Sequence, residues 1–374
     1  MTGHVRRRGE RSWELKFDLG TDPATGRRRI RYASFKGTKR DAEIELAKLV
    51  AAAAKGEQVD VSKSTLSEFL DRWERDWCGT NVSPKTSERY RELLRLHVRP
   101  HIGAVRIQKL RATNLTELYG KLAPRLAPRT IGHVHRVIFQ ALSHAVNWDV
   151  ISSNVAARVT PPRVAQEEIE ILTASAIKAI LDKSRGRPIY QIATLALATG
   201  MRRGELLALR WQDLDLDAGR ITVARSLEQT ATGLRFKEPK TRHGRRTFGL
   251  PPSAVDELRQ HWKAQQELRL ALGAGKAPPS ALVFSDVNGN PRRPDVISQT
   301  WRKTAKAAKV RATFHSLRHT HASHLIAAGL DVLTISRRLG HASPTITLSV
   351  YGHLFPQSDD RAAQAIEAAL SSTE

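Results

Sequence analysis

Sulfur is scarce in this chain, which has one cysteine, Cys78, and two methionines among its 374 residues. A single thiol cannot form a disulfide within the chain, which excludes the disulfide-stapled secreted scaffolds and suits a reducing compartment. No apolar run reaches the roughly 18 to 20 residues of a membrane-spanning helix, and no signal peptide opens the sequence. We therefore expect a cytoplasmic protein with no membrane partner.

Acidic residues are outnumbered as well, with 37 Asp and Glu against 61 Lys and Arg and a net charge of +24. Such an excess attracts polyanions and makes their binding strongly salt-dependent, because counterions are released. With membranes set aside, nucleic acid is the expected polyanion. At 374 residues, 40% of them hydrophobic, the chain is long enough for two or three domains with proper cores.

The last third of the chain holds a spaced set of basic residues and a tyrosine: His315 and Arg318 as H-x-x-R, then His341, then Tyr351. A tyrosine hydroxyl attacks a phosphodiester only when its proton is removed and the charge of the pentavalent transition state is neutralised. Arginines and histidines around the phosphate supply both without a metal or cofactor. The set therefore predicts metal-free phosphoryl transfer, with His315 and Arg318 on one face of a helix.

Two further basic positions lie upstream. Arg202 sits in a glycine-interrupted stretch between two apolar runs, so it is predicted to start a helix with Glu205 three residues later and within its reach. Residues 236–250 are typical of two short strands around a basic turn, with Lys240 at the tip. Lys237 competes with Lys240 as a proton donor to a leaving oxygen, and the Pro-Lys-Thr context favours Lys240.

Four blocks of sequence resemble the catalytic domain of the tyrosine recombinases, in particular phage integrases similar to lambda integrase. In chain order they are ATGMRRGELLALRW at 198–211, PKTRHGRRTFGLP at 239–251, FHSLRHTHASHLIAAG at 314–329 and LGHASPTITLSVYGH at 339–353. Because all four follow the family's order, the resemblance is very specific. One departure is Gly244, where the family's hairpin often has serine.

The resemblance implies a role for each matching residue. Tyr351 would be the nucleophile that forms a 3′-phosphotyrosyl bond. Arg202 and Arg318 would grip the non-bridging phosphate oxygens as charge builds there. Lys240 would protonate the departing 5′-hydroxyl.

Two histidines and one carboxylate complete the implied site. His315 would carry a proton and bind the phosphate, His341 would hydrogen-bond the phosphate, and Glu205 would orient the basic groups. As a whole, the resemblance implies a site-specific recombinase that integrates or excises a phage or other mobile element. It would act as a homotetramer on double-stranded DNA attachment sites, core and arm, with no metal, ATP or other cofactor. Accessory DNA-bending or directionality proteins would join it in the cytoplasm of a bacterial host, on the nucleoid.

Three regions are predicted, which gives a multidomain α+β fold. The first, residues 1–60, shows strand-like alternation from Trp13, and residues 1–40 hold 12 Lys or Arg against 4 acids. A small N-terminal β-sheet plus a helix in this region resembles the arm-type DNA-binding domain of phage integrases. Its candidate DNA contacts are Arg6, Arg7, Arg8, Arg29 and Arg31.

Residues 62–162 are predicted to form an all-α domain. Thr65 and Glu68 make a capping box ahead of an apolar stripe, and Ser83-Pro84 opens the next helix. The segment resembles the core-binding domain that clamps DNA. Its candidate phosphate contacts are Thr86, Arg89, Arg129, Thr130, His133 and Arg136.

Residues 166–374 are predicted to be a mostly helical catalytic domain with a small antiparallel sheet. An amphipathic helix over 359–370 closes the sequence. In the implied tetramer this tail helix would dock on a neighbouring protomer.

Other interpretations of single residues stay open on the sequence alone. Four histidines are close enough for a zinc site, although no carboxylate or cysteine lies nearby and Arg318 would repel the metal; they are His315, His319, His321 and His324. Arg337 and Arg338 fit either a solvated helix face or a contact to the DNA backbone.

Three other functions also stay open. The chain could be a type IB topoisomerase-like enzyme, which a defined recombination product would exclude. It could be a metal-dependent transposase or nuclease using Asp213, Asp215 and Asp217, which activity in EDTA would exclude. It could be a catalytically silent DNA-binding regulator, which covalent attachment to DNA would exclude.

Overall fold

The computed structural model describes residues 3–21, 26, 28–54, 63–165, 169–239, 244–355 and 359–371. They form a mixed α+β protein that is mostly helical and has small antiparallel sheets, which confirms the predicted fold class at that level. The chain divides into two compact units, residues 1–165 and 166–374. In the described part of the chain, no helix combines the length and the apolar character needed to cross a bilayer.

The first unit opens with a three-stranded antiparallel sheet of β1 (Gly3–Gly9), β2 (Ser12–Thr21) and β3 (Arg28–Lys36), followed by α1 (Lys39–Ala54). The basic run at 6–8 belongs to β1, although no strand is predicted there. It does so because Val5 pairs with the buried Leu15 of β2 and extends the apolar side of the sheet.

The rest of the first unit is helical. Its helices are α2 (Leu66–Trp73), α3 (Gly79–Asn81), α4 (Pro84–Leu93), α5 (Arg99–Ile102), α6 (Ala112–Leu122) and α7 (Pro128–Asn147), with π-helical turns at Glu74–Cys78 and Leu94–Val98. The predicted capping box of α2 is confirmed: the Glu68 backbone N–H donates to Thr65 Oγ1 at 3.2 Å, and the Thr65 N–H donates to the Glu68 carboxylate at 2.8 Å. Ser83 caps α4, also as predicted.

The second unit is built mainly from helices around two apolar cores. The helices are α8 (Ala174–Ser184), α9 (Pro188–Thr199), α10 (Arg203–Leu207), α11 (Pro252–Ala271), α12 (Pro294–Ala307), α13 (Ser316–Ala327), α14 (Val332–Leu339), α15 (Pro344–Tyr351) and α16 (Asp359–Ser371). Helices α9 and α14 both end at a glycine in the left-handed conformation, Gly200 at φ +65° and Gly340 at φ +66°. Glycine adopts this conformation at little cost, so the chain can turn sharply at both points.

The strands of the second unit correct one prediction. They are β4 (Leu214–Asp215), β5 (Arg220–Val223), β6 (Ser226–Thr230), β7 (Gly233–Lys237) and β8 (Arg246–Gly249). The two strands predicted on either side of position 240 are confirmed as β7 and β8. They do not pair as a hairpin, because β7 pairs with β6 whereas β8 pairs with β5 in a β4-β5-β8 sheet. A tight turn at Gly233 (φ +131°) folds β7 back on β6 before the chain reaches β8.

Candidate active site

Arg202 and Glu205 form the first part of the site, at the start of α10. Arg202 occupies the N-cap position, and its backbone N–H donates to the Glu205 carboxylate at 2.9 Å. Its guanidinium donates to Glu205 Oε1 at 2.9 Å and to the carbonyl of Gly340 at 3.0 Å. The Arg202 side chain stays 42% exposed whereas that of Glu205 is 7% exposed. The Arg202 guanidinium is therefore held by Glu205 and by the Gly340 carbonyl, and it remains accessible to a ligand.

Arg318 lies deeper, on the first turns of α13, and is 3% exposed. Its two terminal nitrogens donate to the carbonyls of Gly200, at 2.7 Å, and Leu339, at 2.8 Å. These carbonyls belong to the two glycine turns that end α9 and α14. Arg318 therefore ties both turns to the helix that carries the H-x-x-R residues.

Arg246 is a site residue that the sequence analysis missed. Its guanidinium donates to both oxygens of Glu205, at 2.9 and 3.3 Å, and its Nε donates to the carbonyl of Arg338 at 2.8 Å. A Cβ at Gly340 would lie 2.7 Å from Arg246 Nη1, so only glycine fits beside it. One signal was present: Arg246 alternates with the buried Phe248 on β8, so an arginine falls in an apolar row.

Together these residues form a cationic cluster. Three guanidinium groups, from Arg202, Arg246 and Arg318, surround the single carboxylate of Glu205. Burial raises the pKa of Glu205, but hydrogen bonds and charge from Arg246 and then Arg202 outweigh it and lower the pKa overall, so the carboxylate stays ionised. Positive charge is still in excess, and the arrangement suits a bound oxyanion.

Tyr351 is the last residue of α15 and is 1% exposed. Its hydroxyl lies 2.9 Å from Nδ1 of His319, a contact that the sequence does not indicate because the two residues are 32 positions apart. Burial raises the pKa of Tyr351 overall, and the charges of Arg318 and Arg202 offset part of this increase. The phenol is therefore within the electrostatic reach of both predicted arginines.

The two predicted histidines lie close to these groups. His341 is 9% exposed, and its Nδ1 is 2.8 Å from the Thr347 hydroxyl. Burial and then the charges of Arg318 and Arg202 lower the pKa of His341 to about 4. His315 keeps an exposed edge, and burial of the rest of its ring, followed by His319 and Arg318, lowers its pKa. Both imidazoles are neutral at neutral pH.

The predicted proton donor Lys240 lies outside the described residues. Its competitor Lys237 contacts the Glu228 carboxylate on the paired strand β6, so its ammonium is already engaged. Gly244 also has a structural reason: a Cβ there would lie 2.4 Å from Cβ of Pro239. The serine that the family often has would not fit this backbone.

The contacts of His321 and Arg338 bear on the zinc site and on the roles that the sequence leaves open for Arg338. His321 donates from Nδ1 to the Leu197 carbonyl at 2.8 Å and accepts at Nε2 from Arg338 at 3.1 Å, so both of its ring nitrogens are occupied by protein. Arg338 also donates to the carbonyls of Ala198 and Gly249, at 3.3 and 3.2 Å. Its guanidinium holds α14 to α9 and β8, which is neither of the two roles considered for it.

The candidate contacts in the N-terminal sheet do not share one face. Arg6 pairs with Glu14, and Arg8 donates to the Glu14 carboxylate at 2.7 Å, so both lie on the face opposite the buried Leu15. Arg7 pairs with Trp13 and Arg31 with Phe17, so these two, and by alternation Arg29, belong to the other face. A DNA groove that receives one face of the sheet would therefore contact only the arginines of that face.

The candidate contacts of the helical region come together on α4 and α7. Arg129, His133 and Arg136 line one hollow of about 490 Å³ beside the segment at 161–164. Arg89 belongs to the same cluster, because burial and then the charges of Arg136, Arg89 and Arg129 lower the pKa of His133. Thr130 is half-buried on α7, and Thr86 is half-buried with its hydroxyl 2.9 Å from Ser83 Oγ.

The buried histidines of the second unit predict a pH dependence of stability. His321 and His341 have a pKa of about 4 in the fold, where burial disfavours their charged form, against about 6.5 in an unfolded chain. As pH falls from about 6.5 towards 4 the unfolded chain gains protons that the fold excludes, so the free energy of unfolding drops by up to about 3 kcal/mol per histidine.

Urea denaturation at pH 7.5, 6.5, 5.5 and 5.0 measures this effect. The drop should begin below the ordinary histidine pKa, before most carboxylates titrate. His321→Gln should flatten the curve. A constant free energy of unfolding between pH 7.5 and 5.0 would contradict the neutral, buried state of both imidazoles.

Known proteins resemble this chain over most of its length. The sequence model described as "Phage integrase family" matches residues 163–358, just over half of the chain, and that of "Phage integrase, N-terminal SAM-like domain" matches residues 65–123. A "Tyrosine recombinase XerC-like" protein of Caldanaerobacter subterraneus subsp. tengcongensis is 25% identical over 98% of both chains.

Two solved structures share the fold. The Tn1549 transposon integrase, solved in complex with a circular intermediate DNA, superposes with a TM-score of 0.67 and 22% identity over 82% of this chain and 100% of that one. A lambda integrase tetramer bound to a Holliday junction superposes with a TM-score of 0.59 and 17% identity over 96% of each chain.

The match to the phage integrase model and the similarity to a tyrosine recombinase define the class of the protein, a tyrosine recombinase. The chain belongs to the phage integrase family. It is accordingly an enzyme, a site-specific recombinase of the kind that phages and other mobile elements encode.

Proposed function

We propose that this recombinase cuts and rejoins double-stranded DNA through a 3′-phosphotyrosyl bond to Tyr351, and so integrates or excises the element that encodes it. The observation that carries the proposal is the position of Tyr351, which is buried and lies within the field of Arg318 and Arg202 of the cationic cluster. A phosphate bound at this cluster would have its developing charge neutralised by the guanidinium groups.

Each residue of the site has a part in this reaction. Tyr351 attacks the scissile phosphorus, while Arg202 and Arg318 hold the non-bridging oxygens. His341, backed by Thr347, and His315 bind the phosphate by hydrogen bonds.

Two other groups complete the chemistry. Glu205 keeps the guanidinium of Arg202 in place by the hydrogen bonds described above. Lys240, on residue type and sequence context, protonates the departing 5′-oxygen. Because the bond energy is kept in the phosphotyrosine ester, the reaction needs neither ATP nor a metal ion.

The partners follow from the same class of reaction. We propose three domains: an arm-site binder at 1–60, a DNA-clamping helical domain at 62–162 and the catalytic domain at 166–374. The solved relatives were captured on DNA, one of them as a tetramer on a Holliday junction. We therefore propose that this chain acts as a homotetramer on core attachment sites in the host cytoplasm, assisted by accessory DNA-bending or directionality proteins. Helix α16, in which Ile366 and Leu370 are exposed, would dock on a neighbouring protomer.

Covalent capture of DNA tests the proposal. A nicked suicide duplex from the attachment region of the element is mixed, in EDTA, with the wild type and with Tyr351→Phe, and the products are separated on a denaturing gel. We expect a protein–DNA adduct with the wild type only, because phenylalanine keeps the packing and removes the nucleophile. Tight binding without an adduct would indicate a silent regulator, and an adduct with both proteins would assign the nucleophile elsewhere.

A further inference from the structure

The hydroxyl of Tyr351 has one hydrogen-bond partner among the residues that the structure describes, and it is none of the six residues that the family resemblance brings to the site. Tyr351 Oη lies 2.9 Å from Nδ1 of His319, and the two rings meet edge to face with centroids 5.7 Å apart. A buried phenol must place its proton on an acceptor, because a buried donor without a partner is destabilising. The hydroxyl therefore donates and Nδ1 accepts.

His319 is in the protonation state that can accept a proton. It is half-buried on α13, and burial followed by the charge of Arg318 lowers its pKa, so its imidazole is neutral at neutral pH. The titratable groups that face it are His315 and Arg318 on its own helix and Tyr351 on α15.

The other two histidines of the site are placed for a different task. His341 Nδ1 bonds the Thr347 hydroxyl, and His315 stacks edge to face on His319 at 4.6 Å between ring centroids. Neither is seen in a hydrogen bond to Tyr351 among the described residues. A general base must lie within hydrogen-bond reach of the proton it takes, and of these three histidines His319 is the one that does.

We propose that His319 is a catalytic residue, the general base that takes the Tyr351 proton during cleavage and returns it during rejoining; the inference rests on the proposed function. As Tyr351 Oη bonds to the scissile phosphorus, its O–H bond breaks and the proton passes to Nδ1 of His319. The bond from phosphorus to the 5′-oxygen breaks, and that oxygen takes a proton from the leaving-group acid, Lys240. Rejoining runs the same transfers backwards.

Single-turnover cleavage of two duplexes with different leaving groups distinguishes a general base from a residue that acts on the leaving group. One suicide duplex carries the ordinary 5′-oxygen, and the other carries a 5′-bridging sulfur, whose thiolate leaves without a proton. The variants are His319→Asn, which keeps a hydrogen-bonding group near the position of Nδ1 but is not basic, His319→Ala and Lys240→Ala. His324→Asn, exposed on the same helix, is the matched control.

We expect both His319 variants to cleave the oxygen duplex about 10²- to 10⁴-fold more slowly than the wild type, the usual contribution of a general base. Sulfur should restore Lys240→Ala and leave the His319 variants slow, because nucleophile activation is still missing. His324→Asn should match the wild type throughout, and all variants should bind the duplex as the wild type does. If His319→Ala binds poorly, His319→Asn decides.

Three results would overturn the role of His319. Cleavage by His319→Asn at the wild-type rate would show that His319 positions the Tyr351 hydroxyl and does not take its proton. Faster cleavage by His319→Ala would make the contact a restraint on Tyr351. Restored cleavage of the sulfur duplex by the His319 variants would show that His319 acts on the leaving group. Failure of the wild type itself to form an adduct would instead contradict the proposed function, so the two failures are distinguishable.

Discussion

We expect the replacement of Arg318 by lysine to lower the rate of single-turnover DNA cleavage by about two to three orders of magnitude, the usual cost of losing one preorganised donor to a developing oxyanion. The positive charge is kept, but the planar fork is not. In the structure that fork holds the Gly200 and Leu339 carbonyls at 2.7 and 2.8 Å. A lysine ammonium on a flexible stem cannot hold both turns and also present a donor to the phosphate.

The measurement is the first-order rate of adduct formation on a suicide duplex, with protein in excess over DNA. Arg302→Lys is the matched control, since Arg302 is exposed on α12 and keeps its charge in the same way. Affinity for the duplex should change little, because Arg318 is one of many cations in the chain. An Arg318→Lys protein that cleaves as fast as the control would remove Arg318 from the phosphate.

The sequence alone predicts those parts of the site whose residues lie within a few positions of one another. Arg202 and Glu205 are three residues apart at a helix start, and the predicted helix start is confirmed, with Arg202 at its N-cap. The H-x-x-R pair likewise falls on one helix, with His315 at its N-cap position. In each case the spacing of a helix turn decides the contact, so the pattern is sufficient.

Contacts between residues that are far apart in the sequence cannot be predicted from such spacing. Arg246 reaches Glu205 across 41 positions, and His319 reaches Tyr351 across 32. Both depend on how β8 and α15 pack against other elements, which no spacing in the sequence records. The wrong hairpin around Lys240 has the same origin, because the pairing partner of β8 is β5, far from it in sequence.

We expect the replacement of Glu205 by glutamine to lower the free energy of unfolding by about 3–5 kcal/mol, the cost of leaving a buried charge without its partner. The side chains of Glu205 and Arg246 are each 7% exposed, so water cannot take over the solvation of the guanidinium. Glutamine keeps the volume and one acceptor, yet Arg246 and Arg318 then face each other with no negative charge nearby. The loss should therefore exceed that of an ordinary hydrogen bond.

Urea denaturation at neutral pH measures the change, with Asp182→Asn as the control. Asp182 pairs with Arg185 at 3.1 Å, but these side chains are 48% and 68% exposed, so an effect of only about 0–1 kcal/mol is expected there. The double variant Glu205→Gln/Arg246→Met should lose less than the two single variants together, because removing the second charge relieves the penalty left by the first. Strict additivity of the two changes would show that Glu205 stabilises the unit without its bond to Arg246, and would leave the three arginines with no shared counterion.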